Sequence, residues 1–439
     1  MARQYSSKSS TKSIIIKTLK RPIKKALSKF SKNNVDFRKK YLKLKRKRRS
    51  IIFNNAAKQP IEEKTVIFES FMGRKYADSP KAIYEYMVNS EEYKDYKFIW
   101  FFRERCVEEY LYLEKNGRTS LMLWGSPEYY KNYATAKYWI TNSRMPLAIV
   151  PREEQVYVQC WHGTPLKRLG FDVEVEANDA RNNAKEVMEI YESDARRYKY
   201  MVSPSSFCTE KFKSAFNLEA IGKGDIIIEE GYPRNDEIVN HTTEKVEEIK
   251  KKLGIAPDKK VVLYAPTWRE NQHVRGVGYT YEAPIDFKQM NEKLGDDYVV
   301  LFRAHYFIAN AFDFGEYEGF VYDVCEYPDI NDLYIISDVL ITDYSSVFFD
   351  YGILKRPVVF YMYDLKYYKD ELRGFYIDLS ELPGPIVETQ EDLEDKLANV
   401  EVWSASPEYQ KKYEEFTNKF TYLDDGHATE RVVKAIFGK

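Results

Sequence analysis

SDVLITDYSSVFFDYGILKRP, residues 337–357, reads as one strand, one turn and one helix. DVLIT, 338–342, is a short β-branched run bounded by polar residues, as a buried strand requires. DYSS, 343–346, turns the chain. Val347, Phe348, Tyr351 and Leu354 then recur at helical spacing. Ser345 and Ser346 fall at the start of that helix. Serines there cap free N–H groups, and the same N–H groups and the helix dipole favour phosphate; one turn can do both. Pro357 opens another apolar run, PVVFYM (357–362). A strand, a helix and a second strand in this order form the unit of a parallel sheet.

Working outward, the alternation continues through VVLYA (261–265), YVVLFR (298–303) and FVYDV (320–324). Ahead of it lies a charged helical segment, Thr243–Leu253, then Gly254 and APDKK, which reads as an interdomain joint. An earlier series precedes the joint: TVIF (65–68), FIWFF (98–102), YWIT (138–141), VYVQC (156–160), YMVS (200–203) and DIIIEEG (225–231). A helix between the first two is expected to start with Ser79 as N-cap and Pro80 in its first turn. The fold class is therefore α/β, with two doubly wound, Rossmann-type domains and a cleft between them. The boundaries are set at 51–242 and 243–439, after a basic arm, 1–50.

The arm stands out by charge. Residues 1–50 hold 19 Lys+Arg and one acid, Asp36, so the rest of the 439-residue chain holds 49 basic and 67 acidic residues. A basic arm on an acidic body points to an anionic surface. Pro22, Ile23, Leu27 and Phe30 suggest a short amphipathic helix, followed by KLKRKRR (43–49). Aliphatic residues interleaved with lysine favour a membrane surface over nucleic acid. No run reaches the length of a spanning helix, no signal peptide is seen, and Cys106, Cys160, Cys208 and Cys325 have neither pairing nor metal spacing. These features lead us to expect a cytoplasmic protein and no metal site.

Four segments follow strands, at the edge where such sheets bind ligands. His162, after VYVQC, suits a general base near neutral pH. Gly163 permits close approach of a substrate, and Lys167 and Arg168 suit phosphate. In YAPTWRE (264–270), Thr267 and Arg269 offer a hydroxyl and a donor fork for phosphate, while Trp268 either stacks on a base or fills the core. In FRAHY (302–306), Arg303 and His305 share one strand face and suit an anion. The fourth segment is the opening one, with Asp343, Ser345 and Ser346. There is no Walker loop, GxGxxG, HExxH or GxSxG pattern.

CWHGTPLKRLGFD (160–172), GYPRND (231–236), YAPTWRE, RAH (303–305) and SDVLITDYSSVFFDYGILKRPVVFY (337–361), in this order, resemble the CDP-glycerol glycerophosphotransferase family. These are the teichoic acid polymerases and primases of Gram-positive bacteria. FESFMGRKYADSPKAIYEYM (68–87) resembles the family's N-terminal domain. One departure is Tyr306, where the family usually has proline. The resemblance implies a GT-B-like architecture and transfer of glycerol phosphate from CDP-glycerol to a lipid-linked polymer, with CMP released. It implies His162 and His305 as the essential pair. Thr267, Trp268, Arg269, Arg303, Asp343, Ser345 and Ser346 would meet the nucleotide and pyrophosphate. Gly163, Thr164, Lys167 and Arg234 would meet the acceptor. No cofactor or metal is expected beyond the CDP-alditol donor, and no nucleic acid. The enzyme would sit on the cytoplasmic face of the membrane, held by residues 1–50. A ribitol-phosphate transferase, a GT-B nucleotide-sugar glycosyltransferase, a UDP-sugar 2-epimerase and a non-catalytic scaffold are the other readings.

Overall fold

A computed structural model describes residues 35–104, 107–115, 117–173, 184–267, 273–274, 278–279, 284–304, 314–366 and 374–438. Two parallel sheets organise it. The first contains β1 (Glu62–Glu69), β2 (Lys97–Phe102), β3 (Thr119–Leu123), β4 (Ala136–Thr141), β5 (Val156–Gln159), β6 (Tyr200–Ser203) and β7 (Ile227–Glu229). Its order is β3-β2-β1-β4-β5-β6-β7. The second contains β8 (Lys260–Ala265), β9 (Tyr298–Phe302), β10 (Val321–Asp323), β11 (Val339–Thr342), β12 (Val358–Tyr361) and β13 (Ile386–Val387), in the order β10-β9-β8-β11-β12-β13. Both follow the doubly wound pattern, in which the order reverses beside the first strand. The reversal leaves a crevice at the C-terminal ends of β1 and β4, and another at those of β8 and β11.

Both faces of each sheet are covered, so the strands are apolar throughout rather than alternating. On β1, Val66 and Phe68 join Trp100, Val158 and Val202 on one face, while Ile67 joins Ile99, Phe101 and Trp139 on the other. Within these two sheets, two strands escaped the sequence reading, β3 and the two-residue β13. Both lie at sheet edges, where half-exposed residues weaken the apolar signal.

Five helices matter here: α1 (Val35–Ala56), α2 (Asp78–Asn89), α3 (Thr243–Leu253), α4 (Val347–Tyr351) and α5 (Ala428–Phe437). In α2, Ser79 is buried inside the helix rather than capping it. The segment expected to be the joint forms helix α3, capped by the Thr242 side chain and closed by Gly254 at φ 74°. Helix α5 changes the domain boundary: Val432, Val433 and Ile436 pack with Val66, Phe68 and Ile83 of the first domain. Burying each such side chain stabilises by roughly 1.5–3 kcal/mol. The chain thus crosses back, and 428–437 complete the first domain.

The arm is also redrawn. Residues 1–34, including the Pro22–Phe30 segment, lie outside the described residues. KLKRKRR lies within α1, which continues past residue 50 until Phe53 enters the core against Trp139. Leucine, lysine and arginine are good helix formers, so the basic run need not break the helix. No described helix is long and apolar enough to cross a membrane.

Candidate active site

The facing C-terminal edges of the two sheets form the cleft, and the loops after β1, β4 and β5 build its first wall. Trp161 has φ 53°, a left-handed backbone that costs a bulky residue about 1–3 kcal/mol. Its N–H donates to Gln159 Oε1 (2.9 Å), and its ring is held by Phe216 and Tyr191. This bend takes His162 out of the strand line. The imidazole stacks on Trp161, with centroids 4.4 Å apart, and meets the Phe71 ring edge-on at 6.4 Å. Its Nδ1 lies 3.0 Å from the Asn142 carbonyl. A carbonyl has no proton to give, so Nδ1 donates and Nε2 of the neutral ring keeps its lone pair. The ring is exposed along the cleft, but protein surrounds that cleft, and the resulting desolvation lowers its pKa below the ordinary value. The Asn142 carbonyl and Asp78 oppose this shift, while Arg234 and Arg144 add to it.

Asn142 also serves the neighbouring loop. Its Oδ1 accepts from the Phe71 N–H (2.7 Å). Phe71, Met72 and Gly73 have φ of 48°, 59° and 73°. Gly73 is required there: a Cβ would meet Phe101 Cε1 at 2.5 Å and Arg103 N at 2.9 Å. The turn is therefore locked against β2, and it places Phe71 on His162.

The second wall begins with the turn after β11. Asp343 is buried, and its Oδ1 accepts from the N–H groups of Thr267 (2.8 Å) and Tyr344 (2.6 Å). It ties two loops together, which is a different task from the direct nucleotide contact expected of it. Ser345 and Ser346 are half-buried at the start of α4. Ser346 makes no capping bond, and α4 is only five residues long before a 3-10 turn, so its dipole is shorter than the sequence pattern implied. Gly163 faces Ser346: a Cβ on it would stand 3.2 Å from Ser346 Oγ. The loop carrying His162 and the turn after β11 therefore almost touch across the cleft. Arg303, directly after β9, is half-buried and donates from Nη1 to the carbonyls of Val324 (2.7 Å) and Tyr327 (3.0 Å). His305, Trp268 and Arg269 lie outside the described residues.

Other expected contacts are placed differently. Thr164 is buried, near the Cys208 thiol, whose pKa is pushed up to about 12 by burial. Lys167 forms an antiparallel bridge with Phe375, and neighbouring N–H groups complete it: Arg168 to Gly374 O (3.0 Å) and Tyr376 to Leu166 O (2.8 Å). This segment pins the two domains together beside the cleft. Arg234 is also structural. Its Nη2 lies 3.0 Å from both oxygens of Asp350, and its Nη1 3.3 Å from Asp78 Oδ2. An acceptor phosphate would have to displace two buried carboxylates, so the acceptor role expected of Arg234 is corrected to an interdomain ion pair. Trp161, Asn142 and Phe71 were missed in the sequence because ordinary core residue types carry no chemical signal. Among the described residues, no group of three or more His, Cys, Asp or Glu could hold a metal ion.

Comparison with known proteins agrees with this fold. Residues 51–438 match the family model of CDP-glycerol:poly(glycerophosphate) glycerophosphotransferase. The chain is 41% identical over 397 residues to a teichoic acid poly(glycerol phosphate) polymerase of Staphylococcus epidermidis, covering 89% of this chain and 53% of that one. It is 40% identical over 375 residues to a teichoic acid glycerol-phosphate transferase of Staphylococcus aureus, covering 85% of this chain and 92% of that one. The chain thus spans about half the length of the first relative and nearly all of the second. The solved structure of the wall teichoic acid polymerase TagF superposes with TM-score 0.81 at 39% identity, covering 94% of this chain and 97% of that one. By the extent of these matches, the chain belongs to the CDP-glycerol:poly(glycerophosphate) glycerophosphotransferase family.

Proposed function

We propose that this protein transfers glycerol phosphate from CDP-glycerol to the terminal hydroxyl of a lipid-linked teichoic acid-type acceptor, releasing CMP. The observation that carries this reading is the bond from His162 Nδ1 to the Asn142 carbonyl, which leaves Nε2 basic, on a loop whose next residue, Gly163, abuts Ser346 of the second domain. Nε2 takes the acceptor's proton as its oxygen attacks the phosphorus that bears glycerol. The bond from that phosphorus to the bridging oxygen breaks, and the electrons leave with CMP. Positioned base catalysis of this kind contributes roughly 10²–10⁴-fold. Charge grows on the CMP phosphate. Arg303, the N–H groups at Ser345 and Ser346, and His305 as the second histidine of the family pattern would stabilise it. Thr267, with Trp268 and Arg269 beyond the described strand end, would line the nucleotide side. These groups supply positive charge without a metal. Lowering of the His162 pKa keeps the base form dominant at neutral pH, so activity is lost only as pH falls through a pKa below the ordinary 6.5.

The same reading places the enzyme on the anionic inner leaflet. Helix α1 exposes Lys43, Arg46, Lys47 and Arg48 beside Leu42 and Leu44. Each basic residue near such a surface is worth about 1 kcal/mol. To test the reaction, the enzyme is incubated with CDP-glycerol or CDP-ribitol and a short lipid-linked acceptor, and the products are weighed. Products heavier by glycerol phosphate units support the proposal; ribitol phosphate units, or no extension, contradict it. For the surface, replacing the four basic residues with Gln should abolish salt-sensitive binding to phosphatidylglycerol vesicles. Unchanged binding would remove α1 from the anchor.

A further inference from the structure

The loop that places Phe71 on His162 also brings a cation to the cleft that the reaction scheme does not use. Lys75, two residues beyond the left-handed turn, is half-buried and reaches across to the second domain. Its Nζ lies 3.3 Å from the carbonyl of Tyr327 and 3.3 Å from that of Pro328. Tyr327 O is the carbonyl that also accepts from Arg303 Nη1. Two cations from different domains therefore converge on one carbonyl. Neither has a carboxylate within ion-pair distance among the described residues, and Arg303 uses only Nη1, which leaves Nε and Nη2 without a protein partner there. Two nearby acids act on both cations: Asp329 is committed to Lys81 at 3.0 Å, and Glu326 is exposed and makes no ion pair with either among the described residues. Like charges this close repel: burial chiefly, and then Arg303, hold the Lys75 pKa below its ordinary value. An anion between them would remove the cost. The turn that delivers Lys75 is held in a strained conformation, a device found where position matters.

We propose that Lys75 and Arg303 form a cross-cleft subsite for a phosphate group, closed only when both domains are in place. This rests on the phosphotransfer reading for the identity of its ligand, which is either the donor's diphosphate or a phosphodiester of the acceptor. Lys75 is a binding residue that sequence inspection did not single out.

The probe is inorganic pyrophosphate, titrated calorimetrically into the full chain. The wild type binds it, Lys75→Met weakens binding by about tenfold or more, and Lys75→Arg restores most of the loss, as a charge-assisted bond requires. Equal binding by wild type and Lys75→Met overturns the subsite, as does equal weakening by Met and Arg or failure of the wild type to bind. A purely structural strap would lower the unfolding temperature of Lys75→Met without changing pyrophosphate affinity, and that outcome also overturns it. Steady-state assays then divide the sources: a raised KM for CDP-glycerol assigns the donor, a raised KM for the acceptor assigns the polymer, and a rise in neither overturns the proposal. The titration needs no turnover, so absent CMP release would refute the reaction while leaving this subsite to be judged on pyrophosphate alone.

Discussion

Replacing Arg234 with methionine removes the cation from a buried cluster that joins the domains. The Arg234 and Asp78 side chains are 5% and 6% exposed, and Asp350 is 12% exposed. Without the guanidinium, Asp350 keeps the Asn235 Nδ2 at 3.3 Å and Asp78 keeps the Ser79 N–H at 2.6 Å. Two carboxylates would be left in low dielectric with no countercharge at hand. Breaking a buried pair in this way costs about 3–5 kcal/mol. Burial already raises the Asp350 pKa, and Arg234 is the main group opposing that rise, so its loss raises the pKa further. A carboxyl whose folded pKa lies above its unfolded value contributes stability that is present at low pH and lost as pH rises through the folded pKa. The variant should therefore be destabilised more at pH 8 than at pH 5. Thermal unfolding followed by tryptophan fluorescence should show a drop of roughly 3–5 °C at pH 8 and a smaller drop at pH 5. A midpoint within about 1 °C of wild type, or a larger deficit at pH 5, would refute the buried-latch reasoning. A raised acceptor KM with unchanged stability would restore Arg234 to the acceptor site.

Gly163→Ala should lower kcat/KM by about tenfold or more with little change in unfolding temperature, because its Cβ would press on Ser346 Oγ at 3.2 Å and widen the cleft. Unchanged kinetics would show that the two loops need not close so tightly. Burial raises the Glu69 pKa to about 7, with the Tyr133 hydroxyl 2.6 Å away as the main opposing influence. Stability should therefore fall by up to about 3 kcal/mol between roughly pH 4.5 and 7. Glu69→Gln should flatten that window; an unchanged pH profile of unfolding would show that Glu69 ionises freely.

The strand–helix alternation was legible because doubly covered strands are continuous apolar runs and the helices between them are periodic. The place of His162 just beyond the end of β5 was legible because the apolar run VYVQC marks the strand that precedes it. What holds His162 was not legible. The Trp161 bend, the Asn142 carbonyl and the Phe71 edge come from three loops far apart in sequence, brought together by the order of β1, β4 and β5. Arg234 misled for the same reason: an arginine in a loop looks like a phosphate ligand until its two carboxylates, 156 and 116 positions away, are seen. The return of α5 to the first domain was equally hidden, since its apolar stripe says that it packs but not where.

The most direct measurement is CMP release from CDP-glycerol by wild type and His162→Ala, each with and without added imidazole. Loss of a positioned base predicts a fall of roughly 10²–10⁴-fold, partly reversed by imidazole, which fits the space the side chain leaves. Near-wild-type CMP release by the alanine variant would contradict the assignment of His162 as the base.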